Sequence, residues 1–344
     1  MQCPKCKTEI LATAKFCPEC GKKVEPQGKT CPNKACKRTG LPHEAMYCPD
    51  CGTKLTGGFS SFTETVNGVS FDMVAIEGGS FMMGSNEEEY EKPIHVVTVS
   101  DFYLEKTPVT VGQFKSFVES TGYRTTAEMT WGSKIIIYKE DFDCDFLWGE
   151  DVNWQCGAGG DIRNEKEFDY PVIHISWDDA IAYCNWLNEE SNRLYRLPTE
   201  AEWEFAAGGG LESREKFAGT NNKRMVENYS WTSQNSRFMI NPVARLRPNK
   251  LGLYDMSGNI NEWCNDWYAL DYYSNSPSIN PQGPENAFVC DWRNNKIEQS
   301  GAKVIRGGAY NFRNEDCRVS KRYHEEFENT SWDIGFRIAL TSIK

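Results

Sequence analysis

The stretch Arg196-Leu-Pro-Thr-Glu-Ala-Glu-Trp203 sets the fold class of this chain. Thr199 and Glu202 stand three residues apart, just ahead of an apolar run. That is a capping box, in which hydroxyl and carboxylate satisfy each other's orphan amides. A helix therefore starts at Thr199 and runs on through Trp203 and Phe205 to Ala207. Two more helices are legible upstream. Ser176-Trp-Asp-Asp179 opens one, with Ala180, Tyr183, Cys184 and Leu187 as its buried stripe. Val111 to Ser120 forms the other: Phe114, Phe117 and Val118 share a face, and Gly122 stops it. The stretches 71–84 and 95–109 carry β-branched and alternating apolar residues and read as strands. Elsewhere Gly, Asn, Asp and Trp dominate, with few long periodic segments. These features describe an irregular α+β domain with a small sheet and long loops.

The whole chain has 344 residues, 14 cysteines and a formal charge of -11. No apolar run approaches ~18 residues, which argues against a membrane span. The start, Met1-Gln-Cys-Pro-Lys-Cys6, has no apolar leader, so the default location is cytoplasmic. Eight cysteines crowd the first 51 residues: Cys3, Cys6, Cys17, Cys20, Cys31, Cys36, Cys48 and Cys51. They form two quartets, each a pair of knuckles with a Gly (Gly21, Gly52) after the second. Four thiolates so spaced can close a tetrahedron around Zn²⁺. A disulfide framework is the alternative, and the missing leader disfavours it. Two complete quartets leave no open ligand position, so two structural zincs are expected. Residues 1–25 and 26–56 are read as zinc ribbons, 57–69 as a linker and 70–342 as the second domain.

The basic look of the ribbons is compensation for their thiolates. Ten Lys/Arg against five Asp/Glu in residues 1–55 become about +1 once eight thiolates and two Zn²⁺ are counted. The acidic balance sits on the second domain. A whole-chain nucleic-acid binder is therefore not expected, and the ribbons read as docking or multimerising elements.

Several strings belong together: Glu91-Lys-Pro-Ile-His95, Pro171-Val-Ile-His-Ile-Ser-Trp177, Arg196 to Trp203, Leu251-Gly-Leu-Tyr-Asp-Met-Ser-Gly-Asn259, Glu262-Trp263, Arg306-Gly-Gly308 and Ile334-Gly-Phe-Arg337. In that order and spacing they resemble the formylglycine-generating enzyme family, also called the sulfatase-modifying factor family. The resemblance implies a variant of the C-type lectin fold. It also implies an oxidase that turns a client cysteine into formylglycine with O₂ and Cu(I) held by two cysteines, a soft pair suited to that ion. Cys317 falls on the second copper-ligand position. Phe312 occupies the first, Ala309 replaces the serine after the glycine pair, and Asn261 replaces the tryptophan before Glu262. Phe312 supplies no lone pair, so copper is not expected and catalysis is disfavoured. A family iron site is disfavoured too, because the chain has only four histidines, His43, His95, His174 and His324. The resemblance does carry over one calcium site: the Asp255 and Glu262 side chains with the Gly258 and Ile260 carbonyls, all hard oxygen ligands.

Between Arg306-Gly-Gly308 and Ile334-Gly-Phe-Arg337 lies a chemically varied stretch. Tyr310, Phe312, Arg313, Arg322, Tyr323, His324, Phe327 and Trp332 are types enriched at binding hot spots. They are the candidate ligand-binding residues. The lead expectation is a non-catalytic domain that binds a protein or other ligand. A divergent oxidase or other family metalloenzyme is one alternative. A conflict-system or retroelement-diversified variable binding protein is another.

Overall fold

A computed structural model describes residues 31, 33, 36, 38, 48–51, 59–139, 143–291 and 296–341. The chain divides into two compact units after Ser60. The larger unit is taken first.

β1 (Phe62–Val66) and β2 (Val69–Ile76) make a hairpin closed by Asn67 and Gly68, at φ of 47° and 79°. Asn-Gly is the pair that a two-residue hairpin turn with both φ positive selects. β3 (Gly79–Met83) and β4 (His95–Val99) form a separate ribbon, and β5 (Phe102–Glu105) returns antiparallel to β2. Helices α1 (Val111–Thr121) and α2 (Thr126–Met129) precede the ribbon of β6 (Gly132–Tyr138) and β7 (Cys144–Glu150). α3 (Trp177–Ser191), β8 (Tyr195–Arg196) and α4 (Glu200–Ala207) follow. The last third holds β9 (Asn261–Trp267), the pair β10 (Ala287–Asp291) and β11 (Lys296–Ser300), then β12 (Ala302–Arg306), β13 (Arg322–Glu326), β14 (Ile334–Gly335) and β15 (Ala339–Thr341).

The main sheet runs β1-β2-β5-β15-β8, antiparallel throughout. A second sheet runs β13-β12-β9-β14, with β14 parallel to β9. Residues 62–66 are thus a sheet strand, and the linker expected over 57–69 is shorter than that. Phe62 stacks edge-on against Tyr103 at 5.2 Å, and Glu64 accepts the Tyr195 hydroxyl at 2.8 Å. The period-two alternation of Phe62-Thr-Glu-Thr-Val66 was the signal, masked by its threonines.

The three helices legible in the sequence start where their caps require. Ser176 with Asp179 and Thr199 with Glu202 form reciprocal boxes, and so do Thr110 and Gln113. Gly122 ends α1 at φ 68°. Under the main sheet, α1 and α3 bury Phe114, Phe117, Tyr183 and Trp186 against Phe336. Each large side chain so buried contributes about 1.5–3 kcal/mol. A second core gathers α4 around Trp203, Phe205 and Ala206. Among the described residues no helix is long and apolar enough to cross a membrane.

One buried acid makes stability depend on pH. Glu105 Oε1 accepts Gln113 Nε2 at 2.7 Å, while Oε2 has no partner. Burial pushes this carboxyl up to about 8 from its ordinary 4.5. The folded chain then holds the proton more tightly than the unfolded chain. Its contribution is full below pH 4.5 and is lost as pH rises through 8. Glu105→Gln should remove that slope and stabilise the protein at pH 8 by on the order of a few kcal/mol. Urea midpoints of both proteins at pH 5 and 8 check this; parallel pH slopes would contradict it.

Candidate functional site

β12 delivers the chain into Gly307 and Gly308, at φ of 104° and 71°. A Cβ at Gly308 would lie 2.7 Å from Cys317 Sγ, so only glycine allows the turn to press on that sulfur. Cys317 is fully buried. Its thiol contacts the Ala309 carbonyl at 3.8 Å and the Gly258 backbone. Burial raises its pKa well above the usual thiol value, so it stays protonated and unreactive. The thiol contacts of Cys31 with Cys51 and of Cys36 with Cys48 belong to the smaller unit. Phe312 donates its N–H to the Ala309 carbonyl at 2.9 Å, and its ring meets Tyr323 edge-on at 5.4 Å.

The eight candidate ligand residues do not make one surface. Tyr310 has no exposed area, and Arg322 is buried against Glu200, with Nε to Oε1 at 2.7 Å. Arg322 therefore balances an interior acid and is not a surface contact. Strand alternation divides the rest, because successive residues of β13 face opposite ways. Tyr323 meets Phe312, whereas His324 packs on Tyr268 at 4.4 Å. Phe327 packs on Trp267 and Trp332 stacks on Phe146 at 5.1 Å. Arg313 is exposed. The sequence reading missed β7, where Phe146 and Trp148 are 63% and 53% exposed. The run Asp145-Phe-Leu-Trp148 was the available signal.

The Asp255–Glu262 loop needs positive φ at Asp255 (56°), Gly258 (76°) and Asn259 (65°). A Cβ on Gly258 would strike the Trp231 carbonyl at 2.1 Å. Asp255 is buried, and its Oδ2 accepts the Ala244 N–H at 2.9 Å. Glu262 accepts Trp203 Nε1 at 2.8 Å and Arg337 Nε at 2.6 Å on Oε2, with Arg337 Nη2 at 2.7 Å on Oε1. Burial first, and the nearby Glu262 charge as well, hold the Asp255 carboxyl up at about 6. Two neighbouring carboxylates with two loop carbonyls are hard oxygen donors, a set that suits Ca²⁺.

In the smaller unit Cys31, Cys36, Cys48 and Cys51 place all four sulfurs within 4.8 Å of one another. The Cys31–Cys51 and Cys36–Cys48 separations are 3.5 and 3.6 Å. Zn–S bonds of about 2.3 Å give tetrahedron edges of about 3.8 Å, so the quartet has nearly the size zinc needs. Cys31 N–H donates to the Arg38 carbonyl at 2.7 Å and Cys36 N–H to the Asn33 carbonyl at 2.9 Å, which folds the knuckle. The quartet Cys3, Cys6, Cys17 and Cys20 lies outside the described residues, as does His43.

Comparison with known proteins matches residues 60–342 to the sulfatase-modifying factor enzyme 1-like domain. The chain belongs to the sulfatase-modifying factor family. Residues 3–52 match the double zinc ribbon, which fits zinc binding by the cysteines. A formylglycine-generating enzyme of Streptomyces coelicolor is 34% identical over 300 residues, 77% of this chain and 88% of that one. An inactive C-alpha-formylglycine-generating enzyme 2 of Bos taurus is 35% identical over 234 residues, 60% of this chain and 74% of its own. Treponema denticola variable protein 1, a solved structure, superposes with a TM-score of 0.61 at 25% identity, covering 81% of this chain and 98% of that one. The family fold is thus present, with Cys317 a buried thiol and Phe312 on the position where the sequence resemblance expects a first copper ligand.

Proposed function

We propose that this sulfatase-modifying factor domain is a non-catalytic module that binds a protein or other ligand. The observation that carries it is Cys317: buried, protonated, and matched by Phe312 where a second sulfur would be needed. Phe312 leaves a two-thiolate copper site one ligand short. Likeness to a relative named as inactive supports the same reading. Full-length protein loaded with Cu(I) under O₂ should yield no formylglycine from a cysteine-containing sulfatase peptide, read by mass spectrometry. Clear turnover would overturn the proposal. The named enzyme at 34% identity favours a divergent oxidase as the second reading, and the same assay decides between them.

The metals proposed are structural: two Zn²⁺ in the ribbons, which dock or multimerise the chain, and one Ca²⁺ held by the Asp255 and Glu262 side chains with the Gly258 and Ile260 carbonyls. A bound cation would favour the ionised form of Asp255, which burial otherwise opposes. Calcium at 100 times its Kd stabilises a folded chain by about 2.7 kcal/mol. Melting in Ca²⁺ should therefore exceed melting in EGTA, and Asp255→Ala should abolish the difference. Equal melting of the unaltered protein in both buffers removes the site.

A further inference from the structure

Behind the Phe312 turn lies a cavity of about 410 Å³, between the β6–β7 ribbon and the segments around Arg163 and Ile240. Its walls are mostly apolar, with Ile136, Phe238 and Ile240 among them. Three polar groups line it with hydrogen-bonding capacity to spare. The Tyr310 side chain has no exposed area, yet its hydroxyl makes no hydrogen bond. The Tyr138 hydroxyl is buried too; it faces the Tyr310 hydroxyl and the Asn311 side chain, yet no well-formed hydrogen bond joins them. An unsatisfied buried hydroxyl is costly, and a native one calls for an explanation.

The third group is Arg163. Its Nε donates to the Cys156 carbonyl at 3.1 Å and Nη1 to the Pro171 carbonyl at 3.3 Å. The guanidinium lies over the Tyr170 ring at 5.4 Å from its centroid. It makes no ion pair among the described residues, and Nη2 donates to nothing there. These contacts fix its plane while leaving one edge free. Burial lowers its pKa only to about 10, so it stays charged at pH 7. Tyr138, raised by burial to about 12, and Tyr310, raised further, stay protonated and can only donate or accept as neutral phenols.

We propose that this cavity binds a carboxylate carried on an apolar body, with Arg163 as the counter-charge and the Tyr138 and Tyr310 hydroxyls as donors. A carboxylate fills the free edge of a fixed guanidinium and accepts from both phenols. A phosphate dianion fits less well, because one guanidinium faces it and Asp161 and Glu167 share the lining. The apolar walls supply the remaining contact, as in most small-ligand pockets. The carboxylate belongs either to a small free acid or to the last residue of a peptide. This assignment rests on the binding reading above and gives it a ligand class.

Calorimetry on the full-length chain tests it with three probes: 3-phenylpropanoate, a short peptide ending in free leucine, and the same peptide amidated. Binding of phenylpropanoate, of the free-ended peptide, or of both supports the site and names the source. Amidation should weaken the peptide at least tenfold. Tyr310→Phe and Arg163→Lys should each weaken the bound probe about tenfold or more. Tyr310→Phe should leave the melting temperature unchanged or raise it, because its hydroxyl makes no well-formed hydrogen bond in the free protein. Failure of every probe to bind the unaltered protein, or full binding by Tyr310→Phe, overturns the inference. Formylglycine turnover would sink the non-catalytic reading separately, since it is measured without these probes.

Discussion

Glu200→Ala is expected to cost the larger unit at least about 3–5 kcal/mol, the usual penalty for stranding a buried charge. Glu200 is the first residue of α4 and is almost wholly buried. Its Oε1 accepts Arg306 Nη1 at 2.8 Å and Arg322 Nε at 2.7 Å, and Oε2 accepts Arg322 Nη2 at 3.0 Å. Arg306 and Arg322 are paired residues on β12 and β13, so one carboxylate faces two guanidinium groups across the sheet. Arg306 has a second acid, Glu204, at 2.5 Å. Among the described residues Arg322 has no other acid, and would keep the Tyr90 and Ala269 carbonyls and the Tyr268 and Tyr273 rings. With total stability commonly 5–15 kcal/mol, the loss is a large share. Urea melts followed by tryptophan fluorescence give the number. Glu200→Leu combined with Arg322→Met should recover part of it, because an apolar pair leaves no charge stranded. A loss below about 1 kcal/mol for Glu200→Ala would show that water reaches these groups and that the network is not what holds α4 to the sheet.

That network explains why some of the site was legible in the sequence and some was not. A capping box is local: Thr199 and Glu202 meet whatever the rest of the chain does, and so do Ser176 and Asp179. The turn at Gly307 and Gly308 and the loop from Asp255 to Glu262 are likewise short strings with fixed backbone needs. Arg322 has its partner 122 positions away. No spacing rule links them, so its charge read as a surface feature. Tyr310 failed differently. Its residue type suits an interface, and it does line a cavity, but one beside the β6–β7 ribbon that none of the other seven candidates lines. The β6–β7 ribbon had both signals, a run of isoleucines at Ile135–Ile137 and the aromatics Phe146 and Trp148. Their meaning depends on Trp332, which arrives from near the other end of the chain to stack on Phe146.

The second large effect belongs to the ribbon. Cys48→Ser should drop the zinc content from two per chain to one and make residues 26–56 susceptible to trypsin, while the larger unit keeps its melting temperature. Two features compete as the source of order around Cys48. One is the ion pair of Arg38 with Asp50, two bonds of 3.0 and 2.8 Å. Its side chains are 50% and 44% exposed, so it is worth roughly 0–1 kcal/mol. The other is the four-sulfur cluster, in which a structural zinc supplies about 10–16 kcal/mol near pH 7. Residues 26–56 contain few large apolar side chains, and a segment that small has no core to fall back on. Asp50→Ala should therefore keep both zincs and resist digestion like the unaltered chain. Elemental analysis after gel filtration, with digestion time courses on the same samples, separates the two. Two zincs retained by Cys48→Ser would mean that the fourth ligand comes from elsewhere, His43 being the nearest candidate in sequence. Protease resistance without the metal would mean that the ribbon is ordered by something other than its thiolates.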